Sequence, residues 1–129
     1  CQERGIPLVT VGGAGGRWDP TRIQVADLTK AFNDGLLRRV RKTLRRVHNY
    51  SRDNSEWGVP SVFSSERAIF PTPDGGLCRT ARQASNLTLD CNSGFGTASF
   101  VTGVYGFAAA SLVVETIADP PTPDPETKR

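Results

Sequence analysis

Ile6-Pro7-Leu8-Val9-Thr10-Val11-Gly12-Gly13-Ala14-Gly15-Gly16 is an apolar run of strand length that ends in a glycine-rich loop. The run suits a buried strand, and the glycines suit a place where another backbone or a ligand comes close. A helix starting directly after the glycines would make a dinucleotide or phosphate loop. Arg17-Trp18-Asp19-Pro20 points to a turn instead, which sets that reading aside. Upstream, Cys1-Gln2-Glu3-Arg4-Gly5 reads as the last turn of a helix capped by Gly5, so a chain that begins in mid-fold is expected. Downstream, Ile23-Gln24-Val25-Ala26-Asp27-Leu28 alternates with period two, the pattern of a strand with one buried face. Pro60-Ser61-Val62-Phe63-Ser64-Ser65-Glu66 reads as another strand, with Ala68-Ile69-Phe70 continuing or following it before the turn at residues 71–76.

Between these strands, Asp34 is placed to cap a helix whose apolar positions Leu36, Leu37, Val40, Leu44 and Val47 fall within one arc. Arg38, Arg39, Arg41, Lys42, Arg45 and Arg46 occupy the remaining arc. Net charge is only +3 for the 129 residues, so the positive charge is local rather than diffuse. Six like charges without an interleaved acid repel one another, and a polyanionic partner at that face would relieve the repulsion. A solvated helix face is the alternative.

The length suits one small domain with a single core. Three cysteines without a CxxC pair fit neither a disulfide framework nor a structural zinc site, and a reducing compartment is the simpler inference. No signal-peptide pattern opens the chain.

Residues 92–114 form an uncharged run long enough to span a bilayer. Gly96, Ser99, Gly103, Gly106 and Ala110 recur at three- and four-residue spacing, which makes one helical face small and suits close packing against a sheet. A buried helix of a soluble protein is therefore expected, with close packing offsetting the two interior glycines. The proline-rich segment 119–129 reads as a disordered tail.

Cys91 sits in the polar loop Asp90-Cys91-Asn92-Ser93-Gly94-Phe95-Gly96 just before that run. A thiol at a helix start is biased toward thiolate and becomes a candidate nucleophile. A packed, inert thiol is the plainer reading.

Taken together, the segment 6–16, Asp19-Pro20-Thr21, the segment 23–28, Val62-Phe63-Ser64-Ser65-Glu66 and the Cys91 loop resemble, in order and spacing, the tRNA threonylcarbamoyladenosine dehydratases of the ThiF/MoeB-type, ubiquitin-activating-like adenylating family. The resemblance reaches to about Ala118 and implies an α/β fold, the carboxy-terminal part of a Rossmann-like domain over residues 1–118. It implies a mixed sheet packed by helices, the last of them buried and rich in small residues. It further implies ATP and Mg2+ as cofactors, formation of an acyl-adenylate, tRNA as substrate and a homodimer. Cytoplasmic residence follows, or mitochondrial in a eukaryote, with no membrane span. The family's ATP loop belongs to an amino-terminal half, so this stretch alone is expected neither to bind nor to hydrolyse ATP.

Cys91 matches the family's Asp-Cys-Ala-Ser-Gly-Phe-Gly segment with Asn92 in place of alanine, which implies a catalytic or substrate-proximal position. The basic helix would face the tRNA. The runner-up within the superfamily is an activator of a ubiquitin-like sulfur carrier, and the resemblance leaves room for a sulfur-transfer partner of the cysteine desulfurase type. The zinc-binding cysteine pairs common in such activators are missing from this sequence. A non-catalytic module that dimerises or holds RNA is the reading from a different class.

Overall fold

The computed structural model describes residues 1–53, 55–72, 74–79 and 96–119. At its centre lies a mixed three-stranded sheet in the order β1-β3-β2, from β1 (Thr10–Val11), β2 (Ile23–Asp27) and β3 (Pro60–Ser64). β1 runs parallel to β3, with Thr10 beside Ser61, and β2 runs antiparallel to it, with Val25 opposite Val62. The helix α1 (Gly35–Val47) follows β2, and α2 (Ser99–Ala118) comes last. A small hairpin of β4 (Phe70–Pro71) and β5 (Leu77–Cys78) stands apart from the main sheet.

Successive strand residues point to opposite faces, and β3 uses both. Phe63 packs with Leu28, Ala31, Leu37, Trp57 and Val59 on the α1 side. Its neighbour Val62 packs with Val101 and Tyr105 of α2 on the other. The two helices therefore cover opposite faces of one sheet, the α/β layering expected. Gly5 has a φ of 62° and follows a short 3-10 turn at Gln2–Arg4, as its reading as a helix end requires.

The first strand is shorter and less buried than its apolar composition suggests. Only Thr10 and Val11 pair, while Ile6 and Leu8 are exposed. β1 is an edge of the sheet, and Pro7 has no N–H to offer a ladder. On α1 the expected apolar arc narrows: Leu37 is buried and Val40 and Leu44 pack beneath it, but Leu36 and Val47 are about half exposed.

The larger correction concerns α2. Its docking stripe is Ala98, Val101, Tyr105, Ala108, Ala109 and Leu112, positions three and four apart on one side. The expected small stripe is elsewhere: a side chain added at Gly96, Gly103 or Gly106 would meet nothing. No close packing offsets those glycines within the described residues, and α2 is docked along one edge rather than buried. It begins at Ser99, beyond the start of the uncharged run, and continues past Val114. Asp119 leaves the helical conformation immediately before Pro120, where proline's ring disfavours a helical predecessor. The remainder of the expected tail lies outside the described residues.

Candidate nucleic-acid interface

α1 is started by Asp34, whose Oδ1 accepts the Leu37 N–H at 2.9 Å. That carboxylate does more than cap a helix. Its Oδ2 accepts the Gly13 N–H at 2.9 Å and lies 3.6 Å from the Arg17 guanidinium, with both side chains almost fully buried. Arg17 also donates to the carbonyls of Gly13, Asn33 and Glu66. The Glu66 carboxylate, 2 % exposed, accepts the N–H groups of Trp18 and Asp19, each at 3.1 Å. Buried charges need partners: Arg17 and Asp34 are paired with each other, and the Glu66 carboxylate is held by two backbone N–H groups. The set locks the glycine loop, the start of α1 and the end of β3 into one unit, and Tyr105 joins from α2 by donating to the Gly13 carbonyl at 3.3 Å. Burial pushes the Tyr105 phenol up, with Arg17 pulling the other way.

The glycine loop is consequently occupied by the protein itself. Gly12 donates to the Val62 carbonyl, Gly13 to Asp34 and Gly16 to the Gly96 carbonyl. A side chain at Gly12 would strike the Asp34 carboxylate, and one at Gly16, where φ is 68°, would strike the Ile69 backbone. The glycines serve close internal approach. Their engaged N–H groups and the 3-10 turn at Pro20–Arg22 that follows do not fit a cradle for ATP phosphates.

The six basic residues of α1 divide into two kinds. Arg41 donates to the Leu28 carbonyl at 3.1 Å, and Arg45 donates to the Ser51 carbonyl at 3.3 Å while its guanidinium lies 5.2 Å from the Trp57 ring centroid. These two are half-buried and tie the helix to the fold. Arg38, Arg39, Lys42 and Arg46 are exposed, with no hydrogen bond or ion pair among the described residues. Burial, and then the charges of Arg45 and Arg38, hold Arg41 below the usual guanidinium value, while Asp34 opposes them. The face is thus cationic and self-repelling. Beside its first turn, Asn33, Asp34, Gly35, Arg38 and Arg41 line a cavity of about 280 Å³. Cys91 and residues 90–95 of its loop lie outside the described residues. The described chain resumes at Gly96, whose carbonyl meets Gly16.

Sequence reasoning missed Arg17, Glu66 and Asp27. Asp27 accepts the N–H groups of Thr29, Trp57 and Val59 and the Thr29 hydroxyl, closing the turn after β2 onto the start of β3. An Asp-x-Thr pattern at residues 27–29 was a readable local signal for that turn. Nothing local marked Arg17 or Glu66: apart from the Gly13 carbonyl, the partners of their side chains lie 16 or more positions away.

Dehydratases from Haemophilus influenzae and Escherichia coli, each named tRNA threonylcarbamoyladenosine dehydratase, are 40% identical over 116 residues and 42% identical over 113 residues of this chain. These matches cover 89% and 86% of the chain. Its homologues are tRNA threonylcarbamoyladenosine dehydratases. A solved structure of TcdA (CsdL) superposes with a TM-score of 0.75 at 37% identity over 92% of the chain and 42% of its own length. The E. coli dehydratase, TcdA, in complex with ATP, gives 0.69 at 34% identity, covering 92% of this chain and 40% of that one. No family model matches. The chain spans about two fifths of the length of the curated relatives it matches. The mixed α/β fold is that of TcdA.

Proposed function

We propose that the chain supplies part of an ATP-dependent tRNA threonylcarbamoyladenosine dehydratase, with the outer face of α1 turned toward tRNA. Identity near 40% to the named dehydratases carries this reading. The unpaired cations Arg38, Arg39, Lys42 and Arg46 add the chemistry that a polyanionic substrate needs. ATP enters through the E. coli relative solved with it. Since the glycine loop here is filled by Asp34 and the Ile69 backbone, ATP and any Mg2+ would be held by residues other than that loop. What this chain contributes is a rigid scaffold: the Arg17, Asp34 and Glu66 set fixes α1 against the sheet so that its charges stand at defined positions. Charges of that kind meet phosphates, position a nucleic acid and carry no base information. Cys91, in the loop that leads to Gly96, is the candidate for a substrate-proximal group. The working assembly is a homodimer in the cytoplasm, with α2 packed within protein rather than crossing a bilayer.

The test joins this chain to the remaining portion of the E. coli relative and follows tRNA digests by mass spectrometry. ATP-dependent loss of one water from threonylcarbamoyladenosine is expected. A stable, ATP-binding assembly that leaves the nucleoside unchanged would overturn the proposal. Neutralising Arg38, Arg39 and Lys42 together should weaken tRNA binding and lower its salt slope by about 1 for each phosphate interaction removed. Those three are chosen because Arg41 and Arg45 also hold the fold. An unaltered slope would return α1 to a solvated face.

A further inference from the structure

We propose that the cavity at the first turn of α1 is a seat for a single phosphate group, gripped by Arg38 and Arg41. This deepens the reading of α1 as a tRNA-facing helix and rests on it for the source of the phosphate. The other exposed cations of α1 do not line the cavity, which separates Arg38 from Arg39, Lys42 and Arg46.

Three observations carry it. The cavity, of about 280 Å³, is several times the roughly 30 Å³ share of a water molecule and has room for a phosphate group together with waters around it. Arg38 and Arg41 are three residues apart and so share one side of the helix. Arg38 brings a guanidinium with no partner among the described residues, and Arg41 commits one donor, to the Leu28 carbonyl. A guanidinium has five donors, so the pair retains enough to bind an anion's oxygens in a forked arrangement.

The one acid at the cavity does not oppose this. Asp34 has a side chain only 1% exposed, faces Arg17 at 3.6 Å, and has both oxygens engaged by Gly13 and Leu37. Its negative charge is matched from behind. The like charges of Arg38 and Arg41 then dominate the open side, and an anion between them would remove a repulsion that already acts on Arg41.

Amide NMR spectra of the whole 129-residue chain, titrated with inorganic phosphate and separately with dimethyl phosphate, test the seat. Saturable shifts at residues 33–38 are expected, with half-saturation raised about tenfold or more in Arg38→Gln and unchanged in Arg39→Gln. Arg41→Lys, which keeps the charge and loses the fork, should fall between them and guards against a loosened helix. Shifts that never saturate, or that respond equally to Arg38→Gln and Arg39→Gln, would overturn the seat.

Saturation by dimethyl phosphate marks a site for an internal phosphodiester, and saturation by inorganic phosphate alone marks one for a free or terminal phosphate. Titrating tRNA into the same variants keeps the two proposals apart. Binding of tRNA without a saturable phosphate shift sinks the seat and leaves the tRNA-facing helix. A saturable shift abolished in Arg38→Gln, without any tRNA binding, does the reverse.

Discussion

α1 and α2 cover opposite faces of the same three-stranded sheet, yet they turn opposite chemistry outward. α1 shows solvent four unpaired cations. α2 shows it Phe100, Val104, Phe107 and Val114, and is the one helix among the described residues long and apolar enough to cross a membrane, with a mean hydropathy of 1.6. Their attachments differ in the same sense. α1 is fixed by a buried ion pair, a cap and two arginines bonded to carbonyls. α2 is fixed by Val101, Tyr105 and a fringe of small residues. A helix can therefore be amphipathic, with its stability and its outward chemistry separated on two faces, or apolar all round, with nothing in its sequence to say which face is which.

The strongest way to break this contrast is to remove the polar anchor of α1. Asp34→Ala leaves Arg17 buried without its carboxylate, leaves the Gly13 and Leu37 N–H groups without an acceptor, and should cost about 4 kcal/mol. Chemical denaturation would read it. A loss under about 1 kcal/mol would mean that the anchor of α1 is apolar after all and that the two helices are held alike.

Next in size is the anchor of α2. Val101, fully buried against Val62, is the natural site: Val101→Ala deletes two buried methyl groups and should cost about 2 kcal/mol. The same substitution at Val104, on the outward side, should cost a small fraction of that. Equal losses at both positions would show that α2 is covered on both sides in solution.

An acid titration sharpens the comparison from the α1 side. Burial pushes the Asp27 carboxyl up, but the Thr29 hydroxyl and the N–H groups of Thr29, Trp57 and Val59 outweigh it and hold the group below the usual carboxylate value. A depressed folded-state value adds stability that is present above the unfolded value, near about pH 3.9, and is lost as pH falls through the folded one. Asp27→Asn should therefore lower stability at neutral pH and flatten its fall below about pH 4. Parallel curves for wild type and variant would place the acid response in some other carboxylate.

How much of this was legible beforehand depended on how far each signal reached along the chain. Asp34 as a cap, a strand before it and the basic arc of α1 are patterns within one or two turns, and the structure contains them, although Val25 is half exposed and β2 does not bury the alternating face that its period-two pattern predicts. The Arg17–Glu66 and Asp27–Val59 hydrogen bonds join residues 49 and 32 positions apart, beyond any local periodicity. The exposed Ile6 and Leu8 were missed because an apolar run does not reveal that its strand lies at the edge of a sheet. For α2 the error had the same root. Small residues at helical spacing mark a face fit for close approach, while the face in use was chosen by Val62 and the glycine loop, distant in sequence.

The smallest expected effect is the most discriminating for that outward face. Phe107 is 78% exposed, so Phe107→Ser should change the stability of the dilute chain by no more than about 0.5 kcal/mol. The same change removes the most exposed ring from the apolar side of α2, and a patch of that kind drives association whenever another apolar surface is within reach. Sedimentation over a range of concentrations should then show less self-association for the variant at equal stability. If Phe107→Ser costs about 2 kcal/mol or more, the ring is packed in solution, and the apolar side of α2 is a covered face whose exposure belongs only to the isolated chain. If neither stability nor association moves, the outward chemistry of α2 has no consequence, and the contrast with α1 reduces to the cations alone.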